Sequence, residues 1–250
     1  MSTRSELETF FGAIRFFTRL PALGTLGQDP AALGKGMRYF SSVGLIVGVL
    51  AGLVFAIATF FWVKTLAVLA AMVTAILVTG ALHEDGWIDT IDGFGGGGDR
   101  EQVLSIMRDS CIGSFGAVGL ALLLLARAFA LIEIDMLQVP VALIAGHAVS
   151  RLCATAVFHR LDYAREEGKA TPFSDKLGKS DLIFASVMAL LPVLLLLERA
   201  LPALLFAAAA TFWLYRLFKR RIGGYTGDCL GAVQQLAEVA FYCGLLCEFS

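Results

Sequence analysis

Five carboxylates lie within residues 83–100, HEDGWIDTIDGFGGGGDR: Glu84, Asp85, Asp89, Asp92 and Asp99. Asp85, Asp89 and Asp92 are spaced i, i+4, i+7, so a helix sets all three on one face. Like charges on one face repel. No lysine stands among them, and the nearest arginine is Arg100. A compensating cation is expected, and hard oxygen donors suit Mg2+ or Mn2+. Glu84 joins these aspartates as a candidate ligand. A divalent cation at the end of an apolar run points to phosphate chemistry. The plainer alternative is a solvated acidic loop. Against it, Gly86 and Gly93 would let phosphate or metal approach the backbone. Gly95, Gly96, Gly97 and Gly98 would offer N–H groups free of side chains.

A second motif is GGYTGDCLGA, residues 223–232. Asp228 can cap the helix that follows. It can also serve the acidic segment as a further metal ligand or base, and the two roles are compatible. Charges inside apolar runs are costly at membrane depth, which marks Arg151 (in HAVSR, 147–151) and Glu238 as functional candidates. Arg127 and Glu133 offer a structural pair, although a spacing of six is poor for one helix face. His147 reads either as a polar core residue or as a direct participant. Basic clusters recur at Lys35 and Arg38, at Arg160, Arg165, Lys169, Lys176 and Lys179, and at Lys219, Arg220 and Arg221. Topology and attraction to anionic membrane lipid explain most of them. A diphosphate still needs cations, and Arg100, Arg108 and Arg221 lie nearest the motifs. The polar stretch from Tyr163 to Gly168 has the composition of a lid.

The elements that position these residues are apolar. The chain is 58% hydrophobic and only 16% charged, with a mean hydropathy of +0.77. Soluble domains are about half apolar and a quarter charged. The expected fold is therefore all-α, a polytopic membrane helix bundle forming one domain over residues 1–250. Seven spans of suitable length are expected at about 42–63, 65–82, 113–135, 140–157, 181–198, 201–217 and 228–248. Residues 1–20 carry Glu6, Glu8, Arg15 and Arg19 and lack the form of a secretory signal. Phe10, Phe11, Ile14, Phe16, Phe17 and Leu20 predict an amphipathic helix lying at the interface. Gly44, Gly48 and Gly52 form a ladder that permits close helix contact. The five cysteines include no CxxC pair, so no disulfide scaffold is indicated. Cys243 and Cys247 read as packing residues.

Seven spans leave 15 lysines and arginines on the side holding residues 83–112 and only two, Lys64 and Arg199, on the other. By the positive-inside rule the acidic segment faces the cytoplasm, and the long loops lie there with it. In a bacterium this means a multi-pass inner-membrane protein. Nucleic acid is not an expected partner. A homo-oligomer is compatible with the pattern.

Residues 83–120, HEDGWIDTIDGFGGGGDREQVLSIMRDSCIGSFGAVGL, closely resemble the signature of the bacterial cobalamin synthases, the adenosylcobinamide-GDP ribazoletransferases. That signature runs roughly H-x-D-G-x-x-D-T-x-D-G, then glycines, then I-M-x-D-S-x-x-G-x-x-G. The resemblance extends to RYFSSVGLIVG (38–48), Ser150-Arg151, YAREEGKA (163–170) and RRIGGYTGDCLGA (220–232). Glu84 departs from it, since Leu or another residue stands there as often as an acid, and this makes Glu84 a second-rank ligand. The resemblance implies a Mg2+-dependent joining of adenosylcobinamide-GDP to α-ribazole, or to its 5′-phosphate, with release of GMP. Asp85, Asp89 and Asp92 would then hold the cation and Asp228 would complete the site. Asp92 or His83 would take the hydroxyl proton. Arg100, Arg108, Arg151 or Arg221 would neutralise phosphate oxygens.

Two other classes compete. A CDP-alcohol phosphotransferase has D-x-x-D-G-x-x-A-R, and Asp89-x-x-Asp92-Gly93 fits its beginning. Gly96 and Gly97 stand where Ala-Arg belongs. The two aspartate-rich clusters of membrane prenyltransferases are not both present. A transporter would concentrate charge at midplane with paths to both sides, whereas here the carboxylates gather at one surface.

Overall fold

The computed structural model describes residues 3–21, 26–27, 35–165, 176–196 and 199–247. Among these the regular structure is helical. The helices are α1 (Thr3–Phe17), α2 (Phe40–Ala58), α3 (Lys64–Thr79), α4 (Leu82–Gly96), α5 (Arg100–Ile106), α6 (Ser114–Glu133), α7 (Val139–Arg160), α8 (Lys179–Leu190), α9 (Ala200–Arg221) and α10 (Gly227–Leu245). A single isolated bridge joins Tyr163 and Tyr225.

The terminal contacts sort the molecule into two ends. At one end Lys64 Nζ donates to the Ile132 and Ile134 carbonyls, neutralising the C-terminus of α6. Arg199 donates to the Leu245 carbonyl there at 3.3 Å. At the other end Arg38 pairs with Glu6 at 3.3 Å and Asp181 at 3.2 Å, and Arg221 reaches the Gly97 carbonyl at 2.6 Å. Seven helices, α2, α3 and α6 to α10, overlap the seven expected spans in sequence.

Those spans are not alike. Four stretches are long and apolar enough to cross a bilayer: Gly36–Ala58, Ser114–Glu133, Val139–Arg160 and Ala200–Arg221. The expected span at 181–198 is shorter than its hydropathy implied. Its α-helix ends at Leu190, and Pro192 opens a 3-10 turn, Pro192–Leu195, because proline lacks the N–H that would continue the ladder. Helix α10 carries Asp228, Gln234, Gln235 and Glu238 and does not meet the criterion. Its neighbours sheathe it, with nearly every residue from Cys229 to Leu245 buried or half-buried. Among the described residues the interior therefore supports four spans by length and hydropathy. A fifth follows if α3 and α4, bent by 88° at their junction, count as one.

Close packing follows the glycine ladder. A Cβ at Gly44 would lie 2.4 Å from the His147 carbonyl, and one at Gly48 2.6 Å from the Ile144 Cα, so α2 and α7 meet backbone to backbone. The amphipathic α1 buries Ala13, Ile14 and Phe17. Thr9 Oγ1, also on its inner side, bonds to the Ser5 carbonyl at 2.9 Å.

Candidate active site

Helix α4 begins at a sharp corner. Gly80 closes α3 at φ +67°, and Ala81 follows at φ +60°. The left-handed region costs an alanine of order 1–2 kcal/mol. Glycine is required at position 80, where a Cβ would meet the Arg19 guanidinium at 2.2 Å. The corner turns the acidic helix 88° away from α3. With four carboxylates along it, α4 is an unsuitable span and reads as an element of the bundle end.

Along α4 the aspartates are graded: Asp85 is exposed, Asp89 half-buried and Asp92 buried. Asp92 has a different job from the expected metal ligand or base. Its Oδ2 accepts from the Gly113 N–H at 2.7 Å and its Oδ1 from the Gly116 N–H at 2.8 Å. It thus caps the N-terminus of α6, a helix whose N-cap residue is a glycine without a capping side chain. A Cβ at Gly113 or Gly116 would lie 2.3 Å from that carboxylate, which gives the G-x-x-G spacing a physical reason.

The glycines of α4 also differ from expectation. Gly86 makes room for α10, where an added Cβ would meet the Asp228 carbonyl at 2.9 Å. Gly93 packs on Met107, Gly95 on Phe115 and Gly97 on Val103. Gly86, Gly93, Gly95 and Gly97 thus serve packing, while Gly96 and Gly98 are exposed with few neighbours. Gly231, on α10, faces the His83 carbonyl and Gly86 Cα. This crossing brings Asp228 against α4.

Asp228 is spared the capping role by its neighbour. Thr226 is the N-cap of α10, its Oγ1 accepting from the Cys229 N–H at 3.3 Å. Asp228 instead turns toward the acidic face and takes Arg165 Nη2 at 2.7 Å. Burial, then Asp228, then Asp85 push the Asp89 carboxyl up to about 7, against the opposing pull of Arg165. Asp85, Asp89 and Asp228 therefore form one electrostatic cluster drawn from two distant parts of the chain.

Glu84 points elsewhere, whereas His83 lines a cavity that Asp85 and Asp228 also line. The Glu84 carboxylate is buried, with Gln235 Nε2 at 2.9 Å and Arg127 Nη1 at 3.6 Å. It is an interior anchor, not a member of the acidic cluster. His83 is buried and its ring lies 5.7 Å from that of Phe40. Arg127 also faces Glu238, with Nε and Oε1 3.5 Å apart, and bonds to Gln235. The expected Arg127–Glu133 pair is replaced by these contacts, since Glu133 is exposed. His147 Nδ1 meets Glu238 at 2.8 Å, and Gln234 Nε2 donates to the same Oε2 at 2.6 Å. Arg151 stays in this interior, its Nη1 on the His147 carbonyl at 2.9 Å and its guanidinium over Phe40. Glu238 and Arg151, expected to be functional, thus meet inside a polar core that ties α4, α6, α7 and α10 together.

The expected phosphate arginines are mostly committed. Arg100 donates to the Ile222 carbonyl at 3.1 Å and the Ala164 carbonyl at 2.7 Å. Arg221 is held by the Gly97 carbonyl. Together they stitch residues 97–100 to 164 and 221–222. Arg108 is exposed. The cation beside the cluster is Arg165, which also donates to the Met107 carbonyl at 3.2 Å. Its place in a basic, topology-rich segment hid it; the only local signal was the YAREEGKA block. Of the expected lid, residues 166–168 lie outside the described residues, as does Lys169.

Among the described residues no group of three or more His, Cys, Asp or Glu is arranged to hold a metal ion by itself. The donor chemistry suits Mg2+ nevertheless, because Asp85 and Asp228 are hard oxygen donors in an acidic cluster. Mg2+ usually takes one or two carboxylates and fills its shell with water and phosphate oxygens.

A helical membrane bundle with a carboxylate cluster at one end defines a class, polytopic membrane proteins with an acidic site at one end of the bundle. Comparison with known proteins narrows it. The model of the cobalamin-5-phosphate synthase family matches residues 9–246. Adenosylcobinamide-GDP ribazoletransferase of Shewanella frigidimarina is 41% identical, over 96% of this chain and 95% of the relative. Those of Shewanella amazonensis and Shewanella pealeana are each 40% identical, covering 100% and 97% of this chain and 99% and 96% of theirs. The chain belongs to the cobalamin-5-phosphate synthase family. No solved structure matches it. Family membership removes the CDP-alcohol phosphotransferase and transporter alternatives.

Proposed function

We propose that the protein transfers the adenosylcobinamide-phosphate group of adenosylcobinamide-GDP to a ribose hydroxyl of α-ribazole, or of its 5′-phosphate, releasing GMP. The observation that carries this reading is the cluster of Asp85, Asp89 and Asp228 across the α4–α10 crossing. The near-full-length relatives bearing the transferase name support it.

The hydroxyl oxygen attacks the phosphorus that carries cobinamide. The bond from that phosphorus to the bridging oxygen breaks, and GMP departs with the electron pair. Asp85 and Asp228 would hold Mg2+, which supplies Lewis-acid neutralisation of the diphosphate charge. Asp89 takes the hydroxyl proton. An ordinary carboxylate is a weak base, and burial, the largest cause of its upward shift, strengthens Asp89 for this role. Arg165 exchanges its partner Asp228 for a phosphate oxygen, as a planar donor suited to that geometry. Asp92 positions α6 and α4 relative to each other and touches no reacting atom. The excess of lysine and arginine at this end of the bundle supports a cytoplasm-facing site in a bacterial inner membrane.

The test is product analysis after incubating purified protein with adenosylcobinamide-GDP, α-ribazole and Mg2+. Equal amounts of GMP and cobalamin are expected, with none in excess EDTA. Absence of a cobalamin product with wild-type protein would sink the assignment. Asp89→Asn is expected to lose more than about a hundredfold in turnover, the usual worth of a positioned base, while remaining folded in membranes.

A further inference from the structure

A cavity beside the carboxylates has no part in the transfer derived above. Its volume is about 240 Å3. Phe17, Phe40 and His83 form a run of near-parallel rings in its wall: Phe17 and Phe40 stack at 4.1 Å and 24°, Phe40 and His83 at 5.7 Å and 16°. Tyr163 and Tyr225 add an edge-to-face pair with centroids 5.6 Å apart. Leu230 closes another part of the wall, and Asp85 and Asp228 line the same cavity. The cavity and the acidic cluster thus share two residues.

Sites for whole drug-sized ligands occupy roughly 300–1,000 Å3. A cavity of about 240 Å3 is too small for a corrinoid or a complete nucleotide and large enough for one bicyclic ring. Aromatic faces bind flat heterocycles by stacking, with no demand on sequence-like edge recognition. Guanine is the poorer occupant. Its edge calls for a row of hydrogen-bond partners, and the carboxylates that could serve are those the cation and the hydroxyl need.

We infer that this cavity is the subsite for the planar heteroaromatic base of the nucleoside acceptor, holding it so that the attached ribose lies at Asp85 and Asp228. The inference rests on the transferase reading and names where one of its two substrates sits. It makes the aromatic wall a specificity element. A base that stacks well and is mainly apolar enters, and a strongly polar purine does not.

The probe is α-ribazole alone, bound to the full-length protein in detergent with EDTA and no donor. Wild-type protein is expected to bind it, and GMP is expected not to displace it. Leu230→Trp fills the cavity and Tyr163→Ala removes part of its wall. Each is expected to weaken binding at least about tenfold, the scale of one lost stacking contact. In turnover each raises KM for α-ribazole and leaves KM for adenosylcobinamide-GDP unchanged. Tyr163 is half-buried in a short bridge, so its variant keeps the test open if Leu230→Trp does not fold. Undiminished binding to a folded variant overturns the subsite, and so does displacement by GMP. A wild-type protein that binds α-ribazole but yields no cobalamin would overturn the transferase reading and leave the subsite standing. Normal turnover with unchanged acceptor KM in both variants would do the reverse.

Discussion

At the scale of residues, position on one helix face divides roles that composition alone could not. Asp89 and Asp92 stand one turn apart, yet one meets Asp228 and Asp85 while the other meets two backbone N–H groups. The difference appears in pH dependence. Asp89 holds its proton up to about 7 in the folded protein, against about 4 for a free aspartate. The folded state therefore binds more protons between those values, and stability falls as pH rises through that window. Asp89→Asn removes the penalty. Its melting temperature is expected to exceed that of wild type at pH 8 and to match it at pH 4, a pattern thermal scans at the two pH values will read. Turnover of the wild type should run the opposite way, falling as pH drops and Asp89 becomes protonated, with a midpoint below about 7 because Mg2+ on Asp85 and Asp228 offsets their repulsion. A profile flat from pH 8 down to pH 4 would remove Asp89 as base. Gly113→Ala tests the other aspartate. Its methyl would press into the Asp92 carboxylate, and a loss of roughly 1–3 kcal/mol is expected from such overpacking, measured by denaturant or thermal unfolding in detergent.

At the scale of elements, periodicity revealed α4 and its aspartate face, and the turn GGYTGD revealed the start of α10. The partners of those helices were not legible. Nothing in a linear spacing shows that Gly86 and Gly231 let two helices cross, or that Thr226 caps α10 and so frees Asp228. Glu84 looked like a ligand because it adjoins Asp85, and a rotation of about 100° per residue carries it off the aspartate face into the interior. There it meets Arg127 of α6 and Gln235 of α10. The Pro192 break in the fifth expected span was visible in the sequence but hidden by an apolar run on both sides. Arg127→Met tests the interior network. It leaves Glu84 and Glu238 buried without their cation, which costs about 3–5 kcal/mol. Folded yield in detergent should fall sharply, whereas Arg108→Met, at an exposed position, should leave yield unchanged.

At the scale of the whole molecule, the charge asymmetry read from the loops reappears as two chemically distinct ends. The site end gathers Arg38, Arg100, Arg165 and Arg221, each spent on a carboxylate or carbonyl. The opposite end is tied by Lys64 and Arg199. This arrangement predicts sided labelling. Cys111 is exposed at the site end, and a cysteine placed at the exposed Leu137 marks the other. An impermeant maleimide should modify Cys111 in inverted membrane vesicles and spare it in intact spheroplasts, with the reverse for Leu137→Cys. Labelling of both from one side would reject the proposed orientation.

The sheathing of α10 also bears on how the protein is made. A helix holding Gln234, Gln235 and Glu238 is a poor resident of lipid on its own. Its partners Glu84, Arg127, His147 and Ser150 all precede it in the chain and leave the ribosome earlier. The bundle must stand ready before α10 can leave water for the membrane. Asp228 enters with that helix, so the acidic cluster is assembled only once α10 is in place. A nascent chain halted before α10 has the whole of the acidic helix and no working site.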